Sequence, residues 1–195
     1  MGFKASVLFK ELIKIEVERK FPLQHRGRPR TLTFETAYNS IMSVLRTGMQ
    51  WRELHVPNSS YITVFKTMHK WVSEDVFRTA YERLHKLYRR QRRPRFYCID
   101  SSFVKNIFGQ DCLGRNPTDR GRKASKLSII VDDKGMPCAS HTSPANVSDM
   151  SLLRPTIESM ICPHNNEEMH ADKGYDSRRI VVTKQTVLPV HFFNS

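Results

Sequence analysis

The chain has 195 residues, with 32 lysines and arginines against 19 aspartates and glutamates and a net charge of +13. A cut after Arg95 leaves 20 basic and 8 acidic residues (net +12) before it, and 12 and 11 (net +1) after it. A length of one or two domains, with 39% apolar residues, excludes a disordered chain as the default. We therefore predict a basic module, residues 1–95, joined to a near-neutral one, residues 96–195.

The sequence also argues against a membrane or secreted protein. No apolar run approaches the roughly 18 residues of a membrane span, and charges interrupt the first 20 residues every few positions. The four cysteines are widely spaced and form no CxxC pair, so a disulfide scaffold is not expected. We predict an intracellular protein with reduced thiols and no membrane partner.

Helical periodicity dominates the first 95 residues. An amphipathic helix is predicted over 3–21, ended by Pro22, and an extended basic linker over 25–30. Thr33 is a candidate N-cap for a second helix that Gly48 stops, and Ser59 or Ser60 caps a third. A fourth helix follows with acidic residues in its first turn, over 73–88.

Short helices with tight connections on a basic segment predict a helix-turn-helix-like DNA-binding domain. The alternative is a helical bundle whose basic face is merely solvated. The aromatic and leucine positions support either reading, because at this spacing they belong to a core.

After Arg95 the period changes to that of strands. The pattern predicts strands at 96–99, 126–131, 136–142, 168–171 and 187–193, with helices from Ser148 or Asp149 and over 177–184. The first strand is predicted to end at Asp100 and the fourth at Asp172. This order indicates a mixed α/β sheet that brings two carboxylates together if those strands are neighbours.

Two carboxylates at one sheet edge suit a hard divalent cation such as Mg²⁺, which takes oxygen ligands together with water and substrate phosphate. Two such ions can assist phosphodiester cleavage. The alternative is that Asp100 and Asp172 simply form turns or caps at the strand ends.

Two cationic segments could contact phosphates. Residues 114–126 combine glycines with five cations, and Arg26-Gly27-Arg28-Pro29 has the form of an AT-hook core. The alternatives are a solvated hairpin loop for the first and a basic linker that touches phosphates without reading sequence for the second.

Three blocks of sequence carry a family resemblance. The first joins Gly27-Arg28-Pro29-Arg30 to residues 43–54, the second joins Ile99-Asp100-Ser101-Ser102 to residues 119–123 and 144–149, and the third is residues 171–177. In this order they resemble the DDE transposases of bacterial insertion sequences, in the group with an N-terminal helical domain.

The resemblance implies an α+β protein, with a helical DNA-binding domain followed by an incomplete RNase H-like mixed α/β domain. It implies that Asp100 and Asp172 are the first two catalytic and metal-binding acids, using Mg²⁺ or Mn²⁺. The implied partner is double-stranded DNA, both the element ends and the target DNA. Whether the protein also forms a homodimer is left open. The DNA-binding residues expected on these grounds are Arg26, Arg28, Arg30, Arg46, Arg52, Arg120, Arg122, Lys123 and Lys126.

The third acid of the family is a glutamate on a helix after the next strand, and no glutamate follows Asp172 in this sequence. On this basis we expect a C-terminally truncated transposase with retained DNA binding and weak or absent strand transfer, and a C-terminal half that is marginally stable or self-associates. Two alternatives remain: a DNA-binding remnant that regulates related mobile elements, and a basic RNA-binding α/β protein.

Overall fold

The structure, a computed structural model, describes residues 5–22, 32–105, 111–161, 168–172, 182–183, 186–187 and 190–193. The chain divides into a first unit, Met1–Tyr88, and a second unit, Arg89–Ser195. The boundary predicted from charge, after Arg95, lies slightly further along the chain. Among the described residues, no helix is both long and apolar enough to cross a lipid bilayer.

The helices of the first 91 residues are α1 (Ala5–Lys20), α2 (Phe34–Thr47), a short 3₁₀ helix (Trp51–Glu53), α3 (Tyr61–Ser73) and α4 (Val76–Gln91). Two of them, α2 and α3, begin at predicted caps, whereas α4 begins at Val76, after the acidic residues predicted for its first turn. Thr33 accepts a hydrogen bond from the Thr36 N–H at 3.2 Å, and Ser60 accepts one from the Thr63 N–H at 3.3 Å. Gly48 ends α2 with φ +69°, a left-handed conformation that suits glycine. The predicted caps are confirmed.

Trp71 holds three of these helices together. Its side chain on α3 is buried, stacks on Phe34 of α2 at 5.8 Å, and meets Phe77 of α4 edge-on at 5.9 Å between ring centroids. Such aromatic pairs add to the free energy of simple burial. The ring therefore fixes α3 between its two neighbours.

A buried carboxylate joins α1 to α4. Glu16 is fully buried, and its two oxygens meet Arg19 at 2.8 Å and Arg83 at 2.6 Å. A buried charge needs such partners because its desolvation is costly. Arg83 is therefore engaged within the first unit.

The second unit is built on a six-stranded mixed sheet. Its strands are β1 (Phe96–Lys105), β2 (Gly114–Arg115), β3 (Lys123–Asp132), β4 (Pro137–Pro144), β5 (Glu168–Asp172) and β8 (Val190–Phe193), while β6 (Val182–Thr183) and β7 (Thr186–Val187) form a separate pair. The strand order is β2-β3-β1-β5-β8, with β4 also pairing with β3. The pairs β1–β3, β2–β3 and β3–β4 are antiparallel, whereas β1–β5 and β5–β8 are parallel. The described fold is α+β, as expected.

One face of this sheet is covered by helix α5 (Asp149–Glu158), which begins at the predicted N-cap Ser148. The core between helix and sheet consists of the buried side chains of Tyr97, Ile99, Ile130, Cys138, Ala139, Leu153, Ile157, Met160, Met169 and Ala171. On β1 and β5 the core positions alternate, as Tyr97 with Ile99 and Met169 with Ala171, because successive side chains point to opposite faces of a sheet.

Three predicted boundaries are wrong. Strand β1 does not end at Asp100 but continues to Lys105, because β3 pairs with it over its whole length. Strand β3 begins at Lys123, so part of the cationic segment belongs to the sheet. Val182–Thr183 is a strand where a helix was expected over 177–184; residues 177–181 of that prediction lie outside the described residues.

Candidate functional site

Asp100 and Asp172 lie on neighbouring strands. The parallel register of β1 and β5 pairs Cys98 with His170 and Ile99 with Ala171, and the two aspartates are the next residue on each strand. Adjacent strands are about 4.8 Å apart. The structure therefore brings the two predicted acids side by side where the paired segment ends.

Both aspartates also belong to the same face of the sheet. Tyr97, Ile99, Met169 and Ala171 are buried under α5, so the alternate positions face the other way. Asp100 and Asp172 are exposed there. The Ser101 N–H donates to Asp100 Oδ1 at 2.7 Å, which orients that carboxylate.

The chemistry of this pair suits a hard divalent cation. Two exposed carboxylates leave coordination positions for water and substrate phosphate, which is how Mg²⁺ is commonly held. Within the part of the chain that the structure describes, no cluster of three or more His, Cys, Asp or Glu side chains could hold a metal ion. The described site thus offers two protein ligands.

Lys126 does not occupy the exposed position that DNA binding would need. Its side chain is buried, its ammonium donates to the Val147 carbonyl at 2.8 Å and to Asp149 Oδ1 at 3.1 Å, and it lies 4.8 Å from the ring centre of Phe103. The reason is register: Lys126 pairs with Phe103 and shares the face that packs towards α5. Lys126 is therefore a structural cation.

Asp149, which sequence reasoning did not single out, connects this buried cation to the candidate site. It lies in the first turn of α5 and accepts hydrogen bonds from Lys126 and from the hydroxyl of Ser101, the residue after Asp100. The available signal was an acid directly after a helix cap, inside a block of the family resemblance. The network ties β3, α5 and the Asp100 segment of β1 together.

The other predicted cations of the second unit lie on an ordered hairpin, residues 114–123. Arg120, Arg122 and Lys123 are exposed, and Arg122 has Asp119 3.8 Å away. Buried Asn116 organises the turn: its side-chain oxygen accepts from the N–H of Thr118 at 3.0 Å and from its hydroxyl at 2.8 Å. The hairpin therefore holds its charges in a defined arrangement.

Gly114 anchors this hairpin against the loop before α5. A Cβ atom at this position would clash with the Asn146 side chain and would lie 2.9 Å from the Ala145 backbone nitrogen. Only glycine fits without a backbone shift. The hairpin and residues 144–146 consequently form one packed piece.

Residues 91–185 match the family model described as the transposase DDE domain. The matched stretch is 95 of the 195 residues, and over it the chain is similar to this family. This match agrees with the resemblance read from the sequence motifs.

One curated relative agrees with this match. The chain is 38% identical over 93 residues to a Burkholderia cepacia protein named "Putative transposase for insertion sequence element IS402". The match covers 44% of this chain and 42% of that protein, so it spans less than half the length of the relative.

One solved structure is similar to this chain, with a lower sequence identity than that relative. The cryo-EM structure of the piggyBac transposase synaptic complex with hairpin DNA matches with a TM-score of 0.46 and 11% identity, over 97% of this chain and 50% of that one. A score at this level does not establish a shared fold.

In the first unit, the predicted DNA-binding residues are only partly described. Arg46 is exposed in the last turn of α2, and Arg52 is exposed in the 3₁₀ helix. Arg26, Arg28 and Arg30 lie outside the described residues. The two described arginines have the exposure that the prediction requires.

Asp133 fixes the start of the second unit to the turn after β3. Its buried carboxylate pairs with Arg92 and accepts a hydrogen bond from Arg95 Nε at 3.3 Å. Burial raises the pKa of Asp133, but the hydrogen bond from Arg95 and the charge of Arg92 outweigh it and leave the pKa below its usual value. Arg92 and Arg95 are thus engaged in ion pairs within the second unit.

We expect Asp133→Asn to destabilise the second unit by about 2 kcal/mol at pH 7, because it removes a charged partner of two guanidinium groups. Since the folded-state pKa is the lower one, ionised Asp133 stabilises the fold above the unfolded-chain pKa of about 4. This contribution is lost as the pH falls through the folded-state value. Urea unfolding at pH 7, 5 and 3 should show the difference between variant and wild type shrinking below about pH 4.

A suitable control for this titration is Glu158→Gln, which alters an exposed ion pair with Arg154. It should change the free energy of unfolding by at most about 0.5 kcal/mol at pH 7. A pH-independent difference for Asp133→Asn would contradict the assignment.

Proposed function

We propose that this protein acts in DNA transposition of an insertion sequence, by binding duplex DNA and by metal-dependent phosphoryl transfer on an RNase H-like core. The observation that carries the proposal is the in-register pair Asp100 and Asp172 on one exposed face of the sheet. The family match of residues 91–185 and the name of the Burkholderia cepacia relative support it.

Asp100 and Asp172 would hold Mg²⁺ or Mn²⁺. A bound ion of this kind supplies Lewis-acid polarisation of a phosphate and lowers the pKa of an attacking water. The two carboxylates would bind the ion and orient it, and the N–H of Ser101 fixes the direction of the Asp100 carboxylate.

The cationic hairpin, residues 114–123, would guide the DNA strand to this site. Its strand β3 pairs Ala124 with Lys105, five residues beyond Asp100 along β1. At about 3.4 Å per residue this is roughly 17 Å, the axial length of about five nucleotides of one strand. Arg120, Arg122 and Lys123 would therefore contact phosphates several nucleotides from the one at the carboxylates.

DNA binding by the whole chain can be measured by fluorescence anisotropy with a 30-base-pair duplex at increasing NaCl. We expect the logarithm of the affinity to fall linearly with the logarithm of salt, with a slope of about −4 to −5 if about five phosphates are contacted. The triple variant R120Q/R122Q/K123Q should reduce this slope by about 2 to 3. An R115Q variant, which changes an exposed arginine on β2, tests whether the effect is confined to Arg120, Arg122 and Lys123.

Two results would contradict the proposal. One is an affinity for duplex DNA that does not depend on salt, and the other is equal competition by single-stranded RNA at fixed ionic strength, which would favour an RNA-binding protein. DNA binding without any binding of divalent cations would instead favour the DNA-binding regulator.

A further inference from the structure

The helices of the first unit differ in their acidic residues. Helix α1 contains Glu11, Glu16 and Glu18, whereas α2 contains Glu35 and α4 contains Glu82. Helix α3, with the sequence YITVFKTMHKWVS, contains no acidic residue and two lysines. Its surface therefore presents no carboxylate of its own that would repel a polyanion.

The buried residues of α3 define its inner face, and the outer face is the side opposite to them. Val64 and Trp71 are buried, and on a helix of 3.6 residues per turn the opposite side is the row Ile62, Lys66, His69 and Ser73. All four are exposed, Ile62 to 48%. A lysine, an imidazole and an aliphatic side chain stand in one line along the helix.

Two of the five lysines and arginines of α4 are engaged in ion pairs. Arg78 Nε contacts Glu82 at 3.1 Å on the same helix, and Arg83 contacts buried Glu16 at 2.6 Å. Moving Arg83 to a phosphate would leave Glu16 with one partner fewer in a buried position. Helix α4 has the higher net charge, but these two arginines are held by glutamates of the first unit.

Helix α3 is also held rigidly. Trp71 fixes it against α2 and α4, and Phe65 on its flank packs between Trp51 at 5.3 Å and His69 at 4.3 Å. With 13 residues the helix is about 20 Å long, and a major groove about 12 Å wide admits a single helix.

We propose that α3 is the recognition helix of the first unit and lies in the major groove of duplex DNA, with the row Ile62, Lys66 and His69 towards the base edges. Lysine and imidazole groups can donate to purine acceptors, and Ile62 provides an apolar contact for a thymine methyl group. Helices α2 and α4 support it from behind. This assignment rests on the proposed function, because it presupposes that the chain binds duplex DNA.

The test uses the full chain and a pool of 30-base-pair duplexes with a randomised centre, from which the wild type selects a preferred sequence. Affinities of each variant are then measured for the selected duplex and for an unrelated one. For K66A and H69A we expect the ratio of the two affinities to fall about tenfold each. The matched control R78A, an exposed cation of α4, should leave the ratio within twofold.

The outcomes separate this assignment from the proposed function. Binding without selection, or an unchanged ratio for K66A and H69A in folded protein, would overturn the role of α3 and leave DNA binding standing. A ratio that falls for R78A instead would move the recognition surface to α4. If the wild type binds neither duplex, the proposed function itself fails. Far-UV circular dichroism confirms that each variant is folded.

Discussion

Asp100→Asn is expected to abolish divalent-cation binding at the candidate site. The substitution keeps the size of the side chain and its place on β1, but it removes one of the two carboxylates that the β1–β5 register places together. Loss of a supporting partner in a metal site already lowers affinity by about 10- to 100-fold. Loss of a direct ligand should therefore weaken binding by at least about 100-fold, and Asp172→Asn should do the same.

Iron-directed cleavage of the polypeptide makes this loss visible without any turnover of DNA. Fe²⁺ replaces Mg²⁺ at oxygen-rich sites, and with ascorbate it generates radicals that cut the nearby backbone. We expect wild-type fragments that end close to residues 100 and 172, suppression of both by excess Mg²⁺, and no cuts in either variant. A titration with Mn²⁺ followed by electron paramagnetic resonance gives the affinities.

The matched control is Asp119→Asn, which removes a carboxylate of the cationic hairpin, 3.8 Å from Arg122. It should leave the two cuts and the Mn²⁺ affinity unchanged. Equal cleavage in wild type and in Asp100→Asn, or cuts far from both aspartates, would show that the pair does not hold a metal ion.

Asp149→Ala should be among the most destabilising single substitutions of the second unit. It removes the carboxylate 3.1 Å from the ammonium of buried Lys126 and leaves that cation with the Val147 carbonyl as its remaining close acceptor. Breaking a buried ion pair in this way costs about 3 to 5 kcal/mol. Because Asp149 is partly exposed, we expect about 3 kcal/mol, which corresponds to a fall in Tm of roughly 10 °C for a unit of this size.

The two tryptophans allow the effect to be assigned to one unit. Trp51 and Trp71 both lie in the first unit, so their fluorescence follows its unfolding, whereas far-UV circular dichroism follows the whole chain. Asp149→Ala should shift the dichroism transition in urea and leave the fluorescence transition in place.

Helix α5 also provides the control for Asp149. Glu158→Ala removes an exposed ion pair with Arg154 on the same helix and should cost at most about 1 kcal/mol. Equal destabilisation by the two substitutions would mean that the Lys126 network carries no special weight.

The sequence predicted the features that depend on local chemistry. Thr33, Ser60 and Ser148 begin helices because a side-chain oxygen can cap the first turn, and Gly48 ends one because it tolerates positive φ. The placement of Asp100 beside Asp172 was also anticipated, from the order of strands and from the family motifs.

Features set by long-range pairing were missed. Lys126 follows a run of cations in the sequence, and only the β1–β3 register shows that it faces the helix side of the sheet. The same register extends β1 past Asp100, although Ser101 and Ser102 have the composition of a turn. A single sequence does not encode register locally, because it depends on which residues of two distant segments meet.

The alternation along β1 has a consequence for how such a domain can change over generations. Tyr97 and Ile99 are committed to the core beneath α5, whereas Cys98, Asp100 and Ser102 occupy the opposite side of the same strand. Substitutions at exposed Asp100 and Ser102 should disturb folding less than substitutions in the first set. A copy that has lost its chemistry can thus persist as a well-folded protein, and a folded copy can acquire a new ligand on the face opposite its core.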